Sequence, residues 1–229
     1  MMESPVTGIS RGGDQPGAVI PEALTVGRIV AVLRAPSAEH FQAAADVLIT
    51  EGVRALEVTF TTEGAVEALR SIVRSAPENI VVGAGSVMSV SQAREAVDAG
   101  AQFLVSPVTQ PNVLAVGRAT GVPTYPGALT PTEVSAASEA GAPLVKLFPA
   151  SAVGPGYIKD LHGPLPQVKI MPTGGIALTD IGTWLQAGAL AVGMGGPLLG
   201  DALIGGSLDE LADRAREAVA AVSAAEPGR

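Results

Sequence analysis

Cysteine is absent from this chain of 229 residues, which excludes disulfides and thiolate metal sites. Histidine occurs only at His40 and His162, too few for a histidine-rich metal centre, so no metal is expected. Aromatic residues make up 3% of the chain, and the core must be built from alanine, valine and leucine. Such side chains suit tight strand–helix packing better than a wide aromatic-lined pocket. Positive charge is scarce: a formal net charge of -8 argues against a nucleic-acid surface, because backbone phosphates need clustered lysine and arginine. No stretch approaches the roughly 20 uninterrupted apolar residues of a membrane span. The N-terminal segment MMESPVTGISRGGDQPGAVI has no basic start followed by an apolar core. It reads as a flexible extension rather than a secretion signal, and a cytoplasmic location is the expectation.

What is present is an alternation. Short apolar runs, Ile29 to Arg34, Ala55 to Phe60, Ile80 to Val87, Phe103 to Pro107, Pro123 to Leu129, Leu144 to Pro149, Val168 to Gly175 and Ala191 to Gly196, read as parallel strands covered on both faces. Between them lie segments with helical periodicity, beginning with Ser37 to Thr50, for which Ser37 is the expected N-cap, and ending with Leu208 to Val222. Four helices end in the same phrase, with Gly52, Gly100, Gly141 and Gly188 in the position just past the last turn. Eight strands alternating with eight helices predict an α/β fold, a closed (β/α)8 TIM barrel. An open doubly wound sheet is less favoured, because no G-x-G-x-x-G opens a helix after the first strand. The expected organisation is an extension over 1–21, one barrel domain over 22–223 and a tail over 224–229.

Lysine is rare too, at three residues, and Lys146 lies inside the apolar run Ala142-Pro143-Leu144-Val145-Lys146-Leu147-Phe148-Pro149. A lone ammonium in a buried strand is costly unless paired or neutralised, and a neutral amine is the form that attacks a ketone to make a Schiff base. The alternatives are a lysine snorkelling from a strand end or half of a structural ion pair. In a barrel the active site lies where strands end, which gives weight to Arg34, Glu57, Thr59, Ser86, Ser106, Tyr125, Lys146 and Thr173. Alternation in Ala55-Leu56-Glu57-Val58-Thr59 sets Glu57 and Thr59 on the face opposite Leu56 and Val58. Glu57 is therefore the candidate proton carrier for Lys146, or else its structural partner. Gly174-Gly175 and Gly195-Gly196 close the last two strands, where barrel loops often offer N–H groups to a phosphate. Arg34 is a candidate carboxylate or phosphate ligand.

These residues also carry a resemblance. From about Arg28 to Leu199 the chain resembles the bacterial 2-keto-3-deoxy-6-phosphogluconate aldolases, with the related phosphogalactonate and 4-hydroxy-2-oxoglutarate enzymes. It does so through Ile29-Val30-Ala31-Val32-Leu33-Arg34, Leu56-Glu57-Val58-Thr59, Gly83-Ala84-Gly85-Ser86-Val87, Lys146-Leu147-Phe148-Pro149-Ala150 and Pro172-Thr173-Gly174-Gly175-Ile176. Gly154-Pro155-Gly156-Tyr157-Ile158-Lys159 looks closest to the phosphogalactonate branch. The resemblance implies a metal-free class I aldolase, typically a homotrimer. It makes Lys146 the Schiff-base lysine and Glu57 the general acid/base. It sets Ser86 at a pyruvyl carboxylate, Pro107 and Phe148 on the pocket wall, and Gly174 and Gly175 at a phosphate. Two positions depart from the pattern. Thr61 stands where the family often has arginine or asparagine, and Pro197 follows Gly196 in a loop where serine is common.

The expected function is reversible cleavage of a 2-keto-3-deoxy sugar acid, or of 4-hydroxy-2-oxoglutarate, to pyruvate and an aldehyde. The keto acid is the expected partner, bound by Arg34, Thr59, Thr61, Gly85, Ser86, Pro107, Phe148, Thr173, Gly174, Gly175, Gly195 and Gly196. The alternatives are a phosphosugar isomerase or epimerase, a non-phosphorylated substrate, or a non-catalytic barrel holding a static Lys146–Glu57 pair.

Overall fold

The computed structural model describes residues 19–225. Most of the N-terminal extension expected over 1–21, and the tail from 226 onward, lie outside the described residues. Strands β1 (Ile29–Leu33), β2 (Ala55–Thr59), β3 (Val81–Gly85), β4 (Leu104–Val105), β5 (Thr124–Tyr125), β6 (Gly127–Ala128), β7 (Val145–Leu147), β8 (Ile170–Pro172) and β9 (Val192–Met194) are all paired in parallel. β5 and β6 share one position in the ring; Pro126, which has no N–H to give, separates them, and its carbonyl accepts from Lys146 N. The order β5-β4-β3-β2-β1-β9 continues as β6-β7-β8. The circle closes between β8 and β9 through the Thr173–Gly193 bridge and the 2.9 Å bond from Leu190 N to Ile170 O. The fold is the (β/α)8 barrel that the alternation predicts.

The outer helices are α1 (Glu22–Gly27), α2 (Phe41–Thr50), α3 (Ala65–Ser75), α4 (Val90–Asp98), α5 (Pro111–Thr120), α6 (Pro131–Glu139), α7 (Gly156–His162), α8 (Ile181–Gln186), α9 (Gly196–Leu199) and α10 (Leu208–Ala225). Gly52, Gly100, Gly141 and Gly188 all have positive φ, between 89° and 110°, as residues that reverse the chain after a last helical turn must. α2 starts four residues later than the sequence suggests, and Ser37 is not its N-cap. Ala38 N donates to Glu63 O and Glu63 N to Pro36 O, so the loops after β1 and β2 are stitched together and helix formation waits until Phe41. α1 and α9, too short to show a period, are absent from the sequence reading.

Two apolar clusters divide the core. Outward-facing strand residues such as Leu56 and Val58 pack under the helices. Inside the barrel, Val30, Ala55, Val81, Phe103, Tyr125 and Leu144 form a second cluster, and Leu24 of α1 joins it. This inner cluster is the dry floor beneath the strand ends. Tyr125 lies in it, fully buried, stacked on Phe103 at 5.5 Å, and its hydroxyl has no hydrogen-bond partner among the described residues.

Desolvation raises the Tyr125 phenol well above its ordinary value of 10.0. An acid whose folded pKa is raised holds its proton in the native state after the unfolded chain has lost it. Its contribution to stability is therefore complete below about pH 10 and falls as pH rises above that. Tyr125→Phe removes an unsatisfied hydroxyl, so denaturant midpoints should be unchanged or higher at neutral pH, with a flatter decline above pH 10. A wild-type decline that persists in Tyr125→Phe would assign the alkaline loss to other groups.

Candidate active site

Parallel pairing brings β2 and β7 to the same end of the barrel, and alternation turns Glu57 and Lys146 inward. Glu57 is fully buried and Lys146 is 3% exposed. Lys146 Nζ stands 3.9 Å from Glu57 Oε1, beyond hydrogen-bonding distance but close enough to compensate charge. Both Glu57 carboxylate oxygens lack a hydrogen-bond partner among the described residues. The ammonium also sits 5.3 Å from the centroid of the Phe148 ring, where the ring face attracts a cation. A buried carboxylate with both oxygens unused, beside an amine, is an expensive arrangement for packing alone.

Glycines make room for it. A Cβ on Gly85 would fall on the Glu57 carboxylate, one on Gly83 would fall on the Phe103 ring, and one on Gly193 would fall on the Thr173 hydroxyl. The apolar strands are thus hollowed where polar side chains cross the barrel.

A cavity of about 540 Å3 opens above Lys146. Of the residues expected from sequence, Arg34, Lys146, Phe148, Thr173, Gly174, Gly175, Gly195 and Gly196 line it. Arg34 and Lys146 are its only cationic side chains. Arg34 Nη2 donates to Ser86 Oγ at 2.8 Å, joining the ends of β1 and β3. Ser86 adopts φ 58°, a left-handed conformation that costs a serine about 1–2 kcal/mol and is found preferentially at functional sites.

Other expected residues are placed differently. Thr59 is buried, and its hydroxyl is committed to Leu33 O at 2.9 Å and to the Thr62 hydroxyl at 3.1 Å. Ser106 donates to Val87 O at 2.6 Å. Thr61 is exposed in the loop after β2, and Pro107 is half-buried beside Gly127. None of these four lines the cavity, nor do Glu57, Gly85 and Ser86; Gly85 lies against the Glu57 carboxylate and Ser86 bonds Arg34.

The outer wall adds residues that the sequence did not single out, Pro36, Ile176, Leu199, Leu203 and Ile204, beside Pro197, which it did. Its one available signal was the apolar phrase Pro197-Leu198-Leu199 directly after a strand-end glycine pair. Along the same cavity, the backbone N–H groups of Gly174, Gly175 and Gly195 make no hydrogen bond to a backbone carbonyl within the described residues, and Gly196 opens the first turn of α9.

A (β/α)8 barrel with an amine and a carboxylate buried together below a cavity at the strand ends has the parts that a lysine nucleophile and its proton carrier need. The family model "KDPG and KHG aldolase" matches residues 20–212, and the chain belongs to that family. It is an aldolase, a carbon–carbon lyase. The KHG/KDPG aldolase of Escherichia coli K12 is 39% identical over 86% of this chain and 92% of that protein. The probable 2-dehydro-3-deoxy-6-phosphogalactonate aldolase of Rhizobium meliloti is 32% identical over 74% of this chain and 81% of its own. The KDPG aldolase of Legionella pneumophila, solved with pyruvate captured as a covalent carbinolamine, superposes with a TM-score of 0.78 at 29% identity, over 89% of this chain and 97% of that one.

Gly85→Ala tests the geometry of the pair without touching either charge. The new methyl must push the carboxylate aside, and a displacement of about 1 Å costs on the order of 10²-fold in turnover. A stopped assay of pyruvate release should show that loss in a variant that remains folded by circular dichroism. Wild-type turnover would mean the position of Glu57 does not matter.

Proposed function

We propose that this chain is a class I pyruvate aldolase acting on 2-keto-3-deoxy sugar acids, with Lys146 as nucleophile and Glu57 as proton carrier. The observation that carries this reading is the buried pair itself, Nζ and Oε1 at 3.9 Å with both carboxylate oxygens free to accept. Lys146 Nζ adds to the C2 carbonyl, and loss of water from the carbinolamine gives an iminium. Glu57 removes the proton of the C4 hydroxyl; the C3–C4 bond breaks, its electron pair passes into the C2–N system, and the C4 oxygen becomes an aldehyde. The enamine takes the proton back at C3, and hydrolysis releases pyruvate and the free amine. The iminium is the electron sink, so the chemistry needs no metal. The carbinolamine captured in the Legionella relative supports the same first step here.

Arg34, already aligned by Ser86, is the carboxylate ligand in this reading. It takes the role that Thr61, exposed and uncharged, leaves open. The amides of Gly174, Gly175 and Gly195, with that of Gly196 in the first turn of α9, suit a phosphate at the far end of the substrate. Pro197 stands in the first turn of α9, where a backbone N–H has no helical partner to lose. The 4-hydroxy-2-oxoglutarate activity named for the E. coli relative uses the same pyruvyl half.

Borohydride reduction in the presence of pyruvate should add one pyruvyl mass to the Lys146 peptide and abolish activity. Lys146→Arg keeps the charge beside Glu57 and should give neither adduct nor turnover. An unmodified Lys146 peptide would sink the mechanism. Assays across phosphorylated and non-phosphorylated 2-keto-3-deoxy acids should show a lower KM for the phosphorylated members; equal KM values would remove the phosphate from the reading.

We also infer a cytoplasmic homotrimer. Among the described residues no helix is long and apolar enough to cross a membrane. Met88 and Val108, 43% and 45% exposed in the loops after β3 and β4, are apolar side chains such an interface would cover. Light scattering should return three chains per particle, and Met88→Glu combined with Val108→Glu should shift it toward monomer. A monomeric wild type would end this proposal.

A further inference from the structure

α9 is a single turn of four residues, and it forms the outer wall of the cavity through Gly196, Pro197 and Leu199. One turn cannot satisfy its own last carbonyls. They are held instead from α10: Arg214 Nε donates to Leu198 O at 2.8 Å and Arg214 Nη2 to Leu199 O at 3.1 Å. Gly200, at φ 55°, closes over the same group, and a Cβ there would fall on the guanidinium. The side chain of Arg214 is 22% exposed, whereas its carboxylate neighbour Glu210, 3.5 Å away, is 68% exposed. An ion pair so open to water is weak. The two carbonyl bonds are therefore the main use of a largely buried cation, and Leu199, which lines the cavity, is held through its carbonyl from α10.

We infer that Arg214 is a positioning residue: it fixes the Gly195–Gly200 loop, and with it the part of the wall that receives the distal, aldehyde-forming half of the substrate. The inference rests on the aldolase reading above. It assigns Arg214 no contact with the substrate. Lys146 and Glu57, on β7 and β2, lie outside its reach, so it should affect recognition of the long substrate and leave pyruvate chemistry alone.

Two reactions of the intact enzyme separate these effects. Retro-aldol cleavage of a 6-phosphorylated 2-keto-3-deoxy acid uses the whole cavity, whereas deuterium exchange into the methyl group of pyruvate uses only the Schiff-base end. In Arg214→Gln, KM for cleavage should rise about tenfold or more, the scale expected when a charged donor is lost from two carbonyls. Exchange should run at the wild-type rate. Arg214→Lys should behave like Arg214→Gln, because an ammonium lacks the rigid fork that spans both carbonyls. Glu210→Gln should resemble wild type. Added guanidinium should lower the KM of Arg214→Ala. An unchanged KM in Arg214→Gln, or cleavage and exchange falling by one common factor, overturns the inference. A wild-type enzyme that neither cleaves a keto acid nor exchanges pyruvate protons overturns the aldolase reading, and this inference with it.

Discussion

A carboxylate and an ammonium confined together inside an apolar barrel are the constraint to which much of the structure answers. Glu57 is fully buried with neither oxygen hydrogen-bonded, and Lys146 Nζ at 3.9 Å is its only compensating charge within salt-bridge distance among the described residues. Leaving one member of such a pair alone costs about 3–5 kcal/mol, so the two must be held together by the strands that carry them. Pairing β2 with β1 and β3, and β7 with β6 and β8, does this, because each inward position is then set by ladders on both sides. The floor of Phe103, Tyr125 and Leu144 closes the far end of the barrel interior with apolar groups. The cavity therefore lies over the pair on one side, the end where the βα loops lie, with Lys146 on its wall.

That confinement needs volume, and the barrel obtains it by deleting side chains. Gly83, Gly85 and Gly193 lie on strands, where glycine weakens the ladder and packs nothing. Each is opposite a group that would otherwise have no space: the Phe103 ring, the Glu57 carboxylate and the Thr173 hydroxyl. Taken along one strand, a glycine is only a gap in an apolar run. Their meaning lies in contacts between strands, a distance that periodicity along one strand does not measure.

The same distinction separates what was legible from what was not. Parallel strands buried on both faces announce themselves as continuous apolar runs, and the glycine after each of four helices marks a reversal that only glycine makes cheaply. Lys146 and Glu57 stood out because charge in such runs has few explanations. The start of α2 was misjudged because Ser37 has the chemistry of an N-cap, while the backbone bonds between the first two rim loops claim that segment first. Thr59 and Ser106 had the right position and polarity, yet their hydroxyls bond backbone carbonyls of neighbouring chain segments. The left-handed turn at Ser86 depends on neighbours far away in sequence, and the wall of α9 shows there only as the short phrase Pro197-Leu198-Leu199.

On the proposed reading, the site divides along the same line. In that reading the pyruvyl half, common to every substrate considered, meets Lys146 and Glu57 on strands, whose register tolerates little change, and Arg34 one residue past β1. In the same reading the aldehyde half would meet loops, Gly174-Gly175 after β8 and Gly195 to Gly200 after β9, which line the cavity. Amide donors on such loops recognise an anion without a cationic side chain. A chain with net charge -8 can therefore bind an anionic substrate, provided its two cavity cations, Arg34 and Lys146, are kept for the carboxylate and the carbonyl. Pro197 fits this logic. It removes one donor from a helix turn in which that donor was unpaired, and it leaves the neighbouring glycine amides in place. Its consequence falls on how many hydrogen bonds the distal group receives, while the strand-borne chemistry beneath it is untouched.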